Sequence, residues 1–159
     1  MAKYKMGFEP KRFKRPHRKY GNKITTAVVD GSTIHFKSKL EYGWANHLEL
    51  LKRERYIRDW SYETHTFRFD NIGLDKWKVD FVIRNLDDSF EYHECKGFLK
   101  KRDIDKLKLL FKERPETKLT YIFAYNPKIH PNKMDWIKRV CQRVITNGNT
   151  IIKREPKLF

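Results

Sequence analysis

Apolar residues recur along this chain with two different periods, and the change of period separates predicted helices from predicted strands. In residues 39–54 they recur every three to four positions, which predicts an amphipathic helix. Ser38 directly precedes this segment and Glu41 follows Ser38 by three positions, a spacing typical of a capped helix N-terminus. The other two predicted helices are 104–114, which Asp103 caps, and 134–145.

Alternating or continuous apolar runs predict strands in much of the remaining chain. Two β-rich runs within residues 23–36 are joined by Asp30 and Gly31, which predicts a hairpin. The other predicted strands are 58–69 (one bent strand or a pair), 77–85, 90–97, 118–126 with both faces buried, and 150–155. The core order of helix, three β segments, helix and β segment predicts an α/β fold with a mixed sheet flanked by helices.

Charge is distributed unevenly along the chain. The 36 Lys and Arg residues against 20 Asp and Glu give a net charge of +16. Residues 1–23 carry a net +8 without apolar periodicity, which predicts a flexible basic arm ahead of a single domain, 24–159. Residues 24–99 carry a net −2, whereas 100–127 and 128–159 carry +4 and +6. Basic segments around a slightly acidic centre predict a polyanionic partner such as nucleic acid.

Composition excludes several classes of protein. An apolar fraction of 39% with 14% aromatic residues is too high for a disordered chain. No apolar stretch approaches the roughly 18 residues of a membrane helix, and the first residues lack the apolar region of a secretory signal. The two cysteines, Cys95 and Cys141, are far apart, which excludes a disulfide scaffold and a zinc finger. We therefore expect no membrane partner and a reducing, cytoplasmic location.

The candidate catalytic residues lie on two neighbouring predicted strands. Side chains alternate along 90–97, so Glu94 and Lys96 share one face, and the short turn before that strand brings Asp80 near them. Carboxylate oxygens suit hard cations, above all Mg²⁺ or Mn²⁺. Such a cation reconciles an acidic centre with an anionic partner, and Lys96 would orient a water molecule or stabilise charge on a phosphate.

Simpler interpretations of the same residues remain open. Asp80 and Glu94 could form exposed salt bridges, and Lys96 could be an ordinary surface lysine. Glu41 could serve only in the capping box with Ser38. By alternation, Cys95 is expected to be a small buried side chain that faces the second helix.

The pattern of Asp80, Glu94 and Lys96 resembles the D…ExK signature of the PD-(D/E)XK nuclease superfamily. Three segments resemble more closely the phage endonuclease I family of Holliday junction resolvases within it: FKSKLEYGWANHLELL, VDFVIRN and ECKGFLKKRDIDKLKLLFKERPETKLTYIFAY. The family's Pro before the aspartate is Val79 here, which leaves metal ligation intact because the Pro is not a ligand.

This resemblance implies a restriction-endonuclease-like αβββαβ core and Mg²⁺-dependent cleavage of branched DNA during phage recombination, in the host cytoplasm. It implies that Asp80, Glu94 and the Cys95 carbonyl hold the metal, with Glu41 as a further carboxylate and Lys96 as a catalytic residue. It also implies an intertwined homodimer that cuts both sides of a four-way junction.

Basic residues in the arm and around the site are expected to contact DNA phosphates. They are Lys11, Arg12, Lys14, Arg15, Arg18, Lys19, Lys37, Lys39, Lys100, Lys101 and Arg102. Two alternatives to junction cleavage stay open. One is a non-catalytic basic nucleic-acid-binding protein, and the other is a nuclease of the same fold that cuts a restriction, transposon-end or RNA substrate.

Overall fold

A computed structural model describes residues 23–159, which form a mixed α/β structure with a five-stranded mixed sheet, two separate strand pairs and four helices. The helices are α1 (Lys39–Arg53), α2 (Lys101–Glu113), α3 (Pro131–Val140) and α4 (Gly148–Arg154). The strands are β1 (Thr25–Val29), β2 (Ser32–Phe36), β3 (Asp59–Tyr62), β4 (Thr66–Arg68), β5 (Lys76–Lys78), β6 (Phe81–Arg84), β7 (Phe90–Lys96), β8 (Leu119–Phe123) and β9 (Arg143–Ile145). None of these four helices is both long and apolar enough to cross a membrane.

The central sheet has the strand order β3-β6-β7-β8-β9 and separates two apolar cores. β3, β6 and β7 are antiparallel neighbours, whereas β7, β8 and β9 run parallel. Apolar side chains of α1 and α4 belong to the core on one face, and those of α2 and α3 belong to the core on the other. The predicted mixed sheet with helices on both faces is therefore confirmed.

Several predicted elements are confirmed by local geometry. The hairpin pairs β1 with β2 around Asp30 and Gly31, both of which have positive φ angles. The hydroxyl of Ser38 accepts the Glu41 N–H at 3.1 Å and so caps α1. Every residue of β8 is buried, because its alternate side chains enter the two cores. The predicted arm, residues 1–23, lies outside the described residues except for Lys23.

The predicted strand 77–85 is interrupted, so placing Asp80 inside a strand was wrong. β5 pairs with β4 in a separate hairpin, and β6 belongs to the central sheet. Val79 packs in the core with α2, whereas Phe81 packs in the core with α1. A regular strand would place these two side chains on the same face, and the chain changes face at Asp80 instead.

The C-terminal predictions were partly wrong. The helix predicted over 134–145 begins earlier, at Pro131, and ends at Val140, after which Arg143–Ile145 forms the edge strand β9. The strand predicted over 150–155 is helix α4, whose Ile151 and Ile152 pack beside α1. A short apolar run has no clear period, so packing decided between helix and strand.

Helix α2 begins three residues before its prediction. Its N-cap is Lys100, and Asp103 lies within the first turn. The Asp103 carboxylate accepts the Lys100 N–H at 2.8 Å, which satisfies one of the free donors at this helix end. Lys101 and Arg102, which precede the predicted helix, therefore belong to it.

Candidate functional site

The predicted catalytic residues meet at one edge of the central sheet. Glu41 comes from the first turn of α1, Asp80 from the break between β5 and β6, and Glu94 and Lys96 from the end of β7. A cleft of about 840 Å³ opens there, and Glu41, Asp80 and Lys96 are among its lining residues. Glu94 lies behind them and is only 3% exposed.

The backbone of β7 is tied directly to Asp80. Asp80 Oδ2 accepts the Cys95 N–H at 2.8 Å, and Glu94 Oε2 accepts the Asp80 N–H at 3.2 Å. Pairing between β6 and β7 ends at Phe81 opposite His93, so Cys95 lies beyond the last paired residue of β6. The N–H and C=O of one strand residue point to the same side. The Cys95 carbonyl therefore faces the Asp80 side, where β6 has ended.

Glu41 takes part in more than helix capping. Its Oε1 accepts the Ser38 hydroxyl at 2.8 Å, and its Oε2 accepts the Lys37 N–H at 3.0 Å and the Tyr62 hydroxyl at 2.5 Å. Burial and this carboxylate together raise the pKa of Tyr62, so its hydroxyl stays protonated as a donor. Tyr62, on β3, was not among the predicted site residues, because β3 carries no motif that marks it.

Lys96 is held between two carboxylates. Its Nζ lies 2.7 Å from Glu94 Oε1 and 3.2 Å from Asp103 Oδ1. Burial lowers the pKa of Lys96, but the attraction of these carboxylates outweighs burial and leaves the pKa above its usual value. Asp103 was predicted only as a helix cap. Its second contact could not be read from the sequence, because it depends on where α2 packs.

Burial and the repulsion between the negative charges of the carboxylates at this edge together raise the pKa of Asp80. Burial, followed by the charges of Glu94 and Glu41, raises the pKa of Asp80 to about 8. Burial also raises the pKa of Glu94, although Lys96 opposes that rise. A group of buried acids whose pKa values are raised in this way is common at functional sites.

The donor chemistry of the site fits a hard divalent cation, but its side chains do not form a ready-made metal cage. In residues 23–159 no three His, Cys, Asp or Glu side chains are grouped closely enough to hold a metal ion. Oxygens of Glu41, Asp80 and Glu94 accept hydrogen bonds from neighbouring groups instead. The set nevertheless consists of carboxylates with a nearby backbone carbonyl, the ligand types that Mg²⁺ and Mn²⁺ prefer, and a cation would relieve the repulsion at Asp80.

Two of the basic residues predicted to contact DNA line this cleft, and three others are close to them in the sequence. Lys37, Lys39, Lys100, Lys101 and Arg102 are exposed, and Lys37 and Lys100 line the cleft itself. Some of these groups have protein partners, because Lys37 pairs with Glu63 and Arg102 donates to the Gly73 carbonyl at 3.4 Å. The predicted contacts in the arm lie outside the described residues: Lys11, Arg12, Lys14, Arg15, Arg18 and Lys19.

The side chains on the other face of β7 have structural contacts. His93 is buried, accepts the Trp44 indole N–H at 3.0 Å, and has its second ring nitrogen 3.1 Å from Glu91. Cys95 is buried as expected, but its side chain packs in the core with α1. The prediction that Cys95 faces α2 was wrong because Glu94 and Lys96 occupy that side.

Comparisons with family models, with curated proteins and with solved structures gave no match for this chain. The resemblance drawn from the sequence therefore stays a prediction. What the structure adds is spatial. Three separate segments of the chain, which carry Glu41, Asp80, and Glu94 with Lys96, come together at one edge of the sheet.

Proposed function

We propose that this protein is a metal-dependent endonuclease that hydrolyses phosphodiester bonds in DNA. Its cofactor is Mg²⁺, for which Mn²⁺ substitutes, and its preferred substrate is branched DNA such as a four-way junction. The observation that carries the proposal is the convergence of Glu41, Asp80 and Glu94 with Lys96 beside a cleft that exposed lysines surround. Such a site combines hard-cation ligands with groups that bind phosphate.

The order of elements supports the proposed fold family. Leaving out the β4–β5 hairpin, the chain passes through α1, β3, β6, β7, α2 and β8. This order matches the αβββαβ order expected of a restriction-endonuclease-like core. Glu41 lies on the first helix of that order, Asp80 just before its second strand, and Glu94 and Lys96 on its third strand. The fold alone does not determine the substrate.

In the proposed site, Asp80, Glu94, Glu41 and the Cys95 carbonyl would hold the metal. A bound Mg²⁺ supplies Lewis-acid stabilisation of the phosphate and lowers the pKa of water. Asp80 is oriented by the Cys95 N–H, and Lys96 is fixed by Glu94 and by Asp103. From that position the Lys96 ammonium orients the attacking water or stabilises negative charge that develops on the phosphate.

The basic surroundings supply the sequence-independent part of DNA binding. Lys37, Lys39 and the start of α2 present exposed positive charge around an acidic centre. Neutralising phosphates with these groups releases counterions, so binding is expected to weaken steeply with salt. The basic arm, residues 1–23, is proposed to extend this contact along the DNA.

Paired cleavage of a four-way junction requires two sites, so we propose a homodimer. This part of the proposal is supported by the sequence resemblance. The test is sedimentation at micromolar concentration: a mass near that of one chain, 19.4 kDa, argues against paired nicking.

The central experiment compares cleavage of a four-way junction, a linear duplex, a single strand and a supercoiled plasmid, each with Mg²⁺ or with EDTA. We expect the junction to be cut fastest in Mg²⁺ and no cleavage in EDTA or by Asp80→Asn. Asp70→Asn is the matched control, because Asp70 is an exposed acid away from the site. Intact substrates in both Mg²⁺ and Mn²⁺, together with salt-sensitive binding that Asp80→Asn leaves unchanged, would favour the non-catalytic alternative.

A further inference from the structure

Two exposed aromatic side chains border the same cleft as the carboxylates. Phe98 and Tyr125 are 60% and 66% exposed, and both line the cleft together with Asp80 and Lys96. The other large exposed apolar side chains of the described region do not line this cleft. These two rings are therefore placed where a substrate at the candidate site would meet them.

The positions of both rings follow from the sheet topology. Phe98 comes two residues after the end of β7, and Tyr125 comes two residues after the end of β8. β7 and β8 are parallel neighbours, so their carboxyl ends lie at the same edge of the sheet. Crevices outside the carboxyl ends of parallel strands are common ligand sites in α/β proteins.

The space and charge around Phe98 suit a flat anionic ligand. Lys100 Nζ lies 5.3 Å from the centre of the Phe98 ring, and the Phe98 side chain is 60% exposed. Apart from its two chain neighbours, a Cβ atom at Gly97 would meet no atom within 4 Å, so the space around Gly97 in the cleft is open. Lys37, which pairs with Glu63, adds a second cation to the wall of the cleft. An aromatic surface next to two cations matches a nucleobase attached to its phosphate.

We propose that Phe98 and Tyr125 stack on a nucleobase whose face is exposed, so that this cleft prefers DNA with an unpaired or unstacked base beside the cleaved phosphate, as at the branch point of a junction. This inference rests on the proposed function, because it requires a nucleic-acid substrate. In a fully paired duplex the faces of each base are covered by the neighbouring bases, so the two rings have no base face on which to stack. An unpaired base exposes its face, and stacking then adds binding that a paired duplex cannot obtain.

The test measures binding in EDTA, so it does not depend on cleavage. Fluorescence anisotropy compares a paired duplex with the same duplex carrying one unpaired 2-aminopurine, whose fluorescence also reports stacking. We expect Phe98→Ala and Tyr125→Ala each to weaken binding of the unpaired substrate by about 5- to 150-fold and to reduce quenching of 2-aminopurine, with binding of the paired duplex nearly unchanged. Phe98→Trp keeps an aromatic ring at this position, so we expect it to bind the unpaired substrate tightly and to quench 2-aminopurine as the wild type does.

Two matched controls have similar exposure but lie elsewhere on the surface. Phe90→Ala and Tyr56→Ala remove rings that are 52% and 71% exposed and that do not line the cleft, and neither is expected to change the preference for the unpaired base. Size-exclusion chromatography tests whether the two cleft rings pack against a second copy of the chain. Loss of a dimer in Phe98→Ala without loss of base preference overturns the inference.

The result also separates this inference from the proposed function. If the wild-type protein cuts branched DNA but the two cleft variants bind paired and unpaired substrates as the wild type does, the inference is wrong and the nuclease proposal stands. If the variants lose base stacking but the wild type cleaves nothing in Mg²⁺ or Mn²⁺, the nuclease proposal is wrong and the inference stands.

Discussion

Replacing Asp80 with Asn is expected to stabilise the metal-free protein while abolishing cleavage. The side chains have nearly the same shape, and the amide oxygen of Asn can still accept the Cys95 N–H that Asp80 Oδ2 accepts at 2.8 Å. The change removes a buried negative charge that lies beside Glu94 and Glu41. Stability gained by removing a functional group is expected where a site is arranged for a ligand rather than for folding.

The size of the effect follows from the pKa of Asp80. Burial and the two neighbouring carboxylates raise this pKa from 3.8 to about 8. Between pH 3.8 and about pH 8 the folded protein binds more protons than the unfolded chain, because Asp80 stays protonated only in the folded state. The free energy of unfolding therefore falls as pH rises and levels off above about pH 8. From pH 3.8 to pH 7 the free energy of unfolding falls by ~1.4 kcal/mol for each of about three pH units. The buried charge of Asp80 therefore costs at most about 4 kcal/mol of stability at pH 7.

The assay is urea denaturation in EDTA at pH 6, 7 and 8, followed by tryptophan fluorescence. We expect the wild type to lose stability across this range and Asp80→Asn to lose much less, so that their difference grows with pH and reaches between about 1 and 5 kcal/mol at pH 8. Asp70→Asn should follow the wild type. The reasoning is refuted if Asp80→Asn is no more stable than the wild type at pH 8, or if their difference shrinks as pH rises.

Three further predictions test the metal, the buried lysine and the packing of α4. Mg²⁺ at 100 times its dissociation constant should stabilise the wild type by about 2.7 kcal/mol and so raise its melting temperature. An equal rise in Asp80→Asn would contradict ligation of the metal by Asp80. Lys96→Met leaves Glu94 and Asp103 without their cation, so urea titration should show a loss of about 3 kcal/mol, and an unchanged midpoint would contradict the buried pairing. Gly148→Ala should cost about 1–3 kcal/mol, because its Cβ would lie 3.1 Å from a β8 carbonyl oxygen, whereas Gly97→Ala, in open space, should cost much less in the same titration.

The elements predicted correctly are those whose signals are local. The period of α1 and its Ser38 cap, the Asp30–Gly31 turn, and the continuous apolar run of β8 each depend on neighbouring residues. The C-terminal segment lacked such a signal. Ile151 and Ile152 fit a strand or a helix equally well, and their contact with α1 decided for the helix.

The sequence predicted which residues of β7 and its neighbour lie close together at the candidate site, but it did not predict the contacts made by more distant elements. Alternation along β7 correctly placed Glu94 and Lys96 together, and the turn before β7 brought Asp80 close to them. Tyr62 and Asp103 were missed as site residues because each acts through a contact between distant elements. No sequence pattern specifies such contacts, since they arise only when β3 and α2 pack against the sheet.

The error at Asp80 bears directly on how the site could work. Had residues 77–85 formed one continuous strand, that strand would have extended past Phe81 alongside the end of β7. The break removes that neighbour, and the Asp80 carboxylate takes its place as the partner of the Cys95 N–H. The Cys95 carbonyl is left facing the acidic edge of the cleft without a strand beside it. The departure from regular pairing therefore leaves accessible the backbone carbonyl that we propose as a metal ligand.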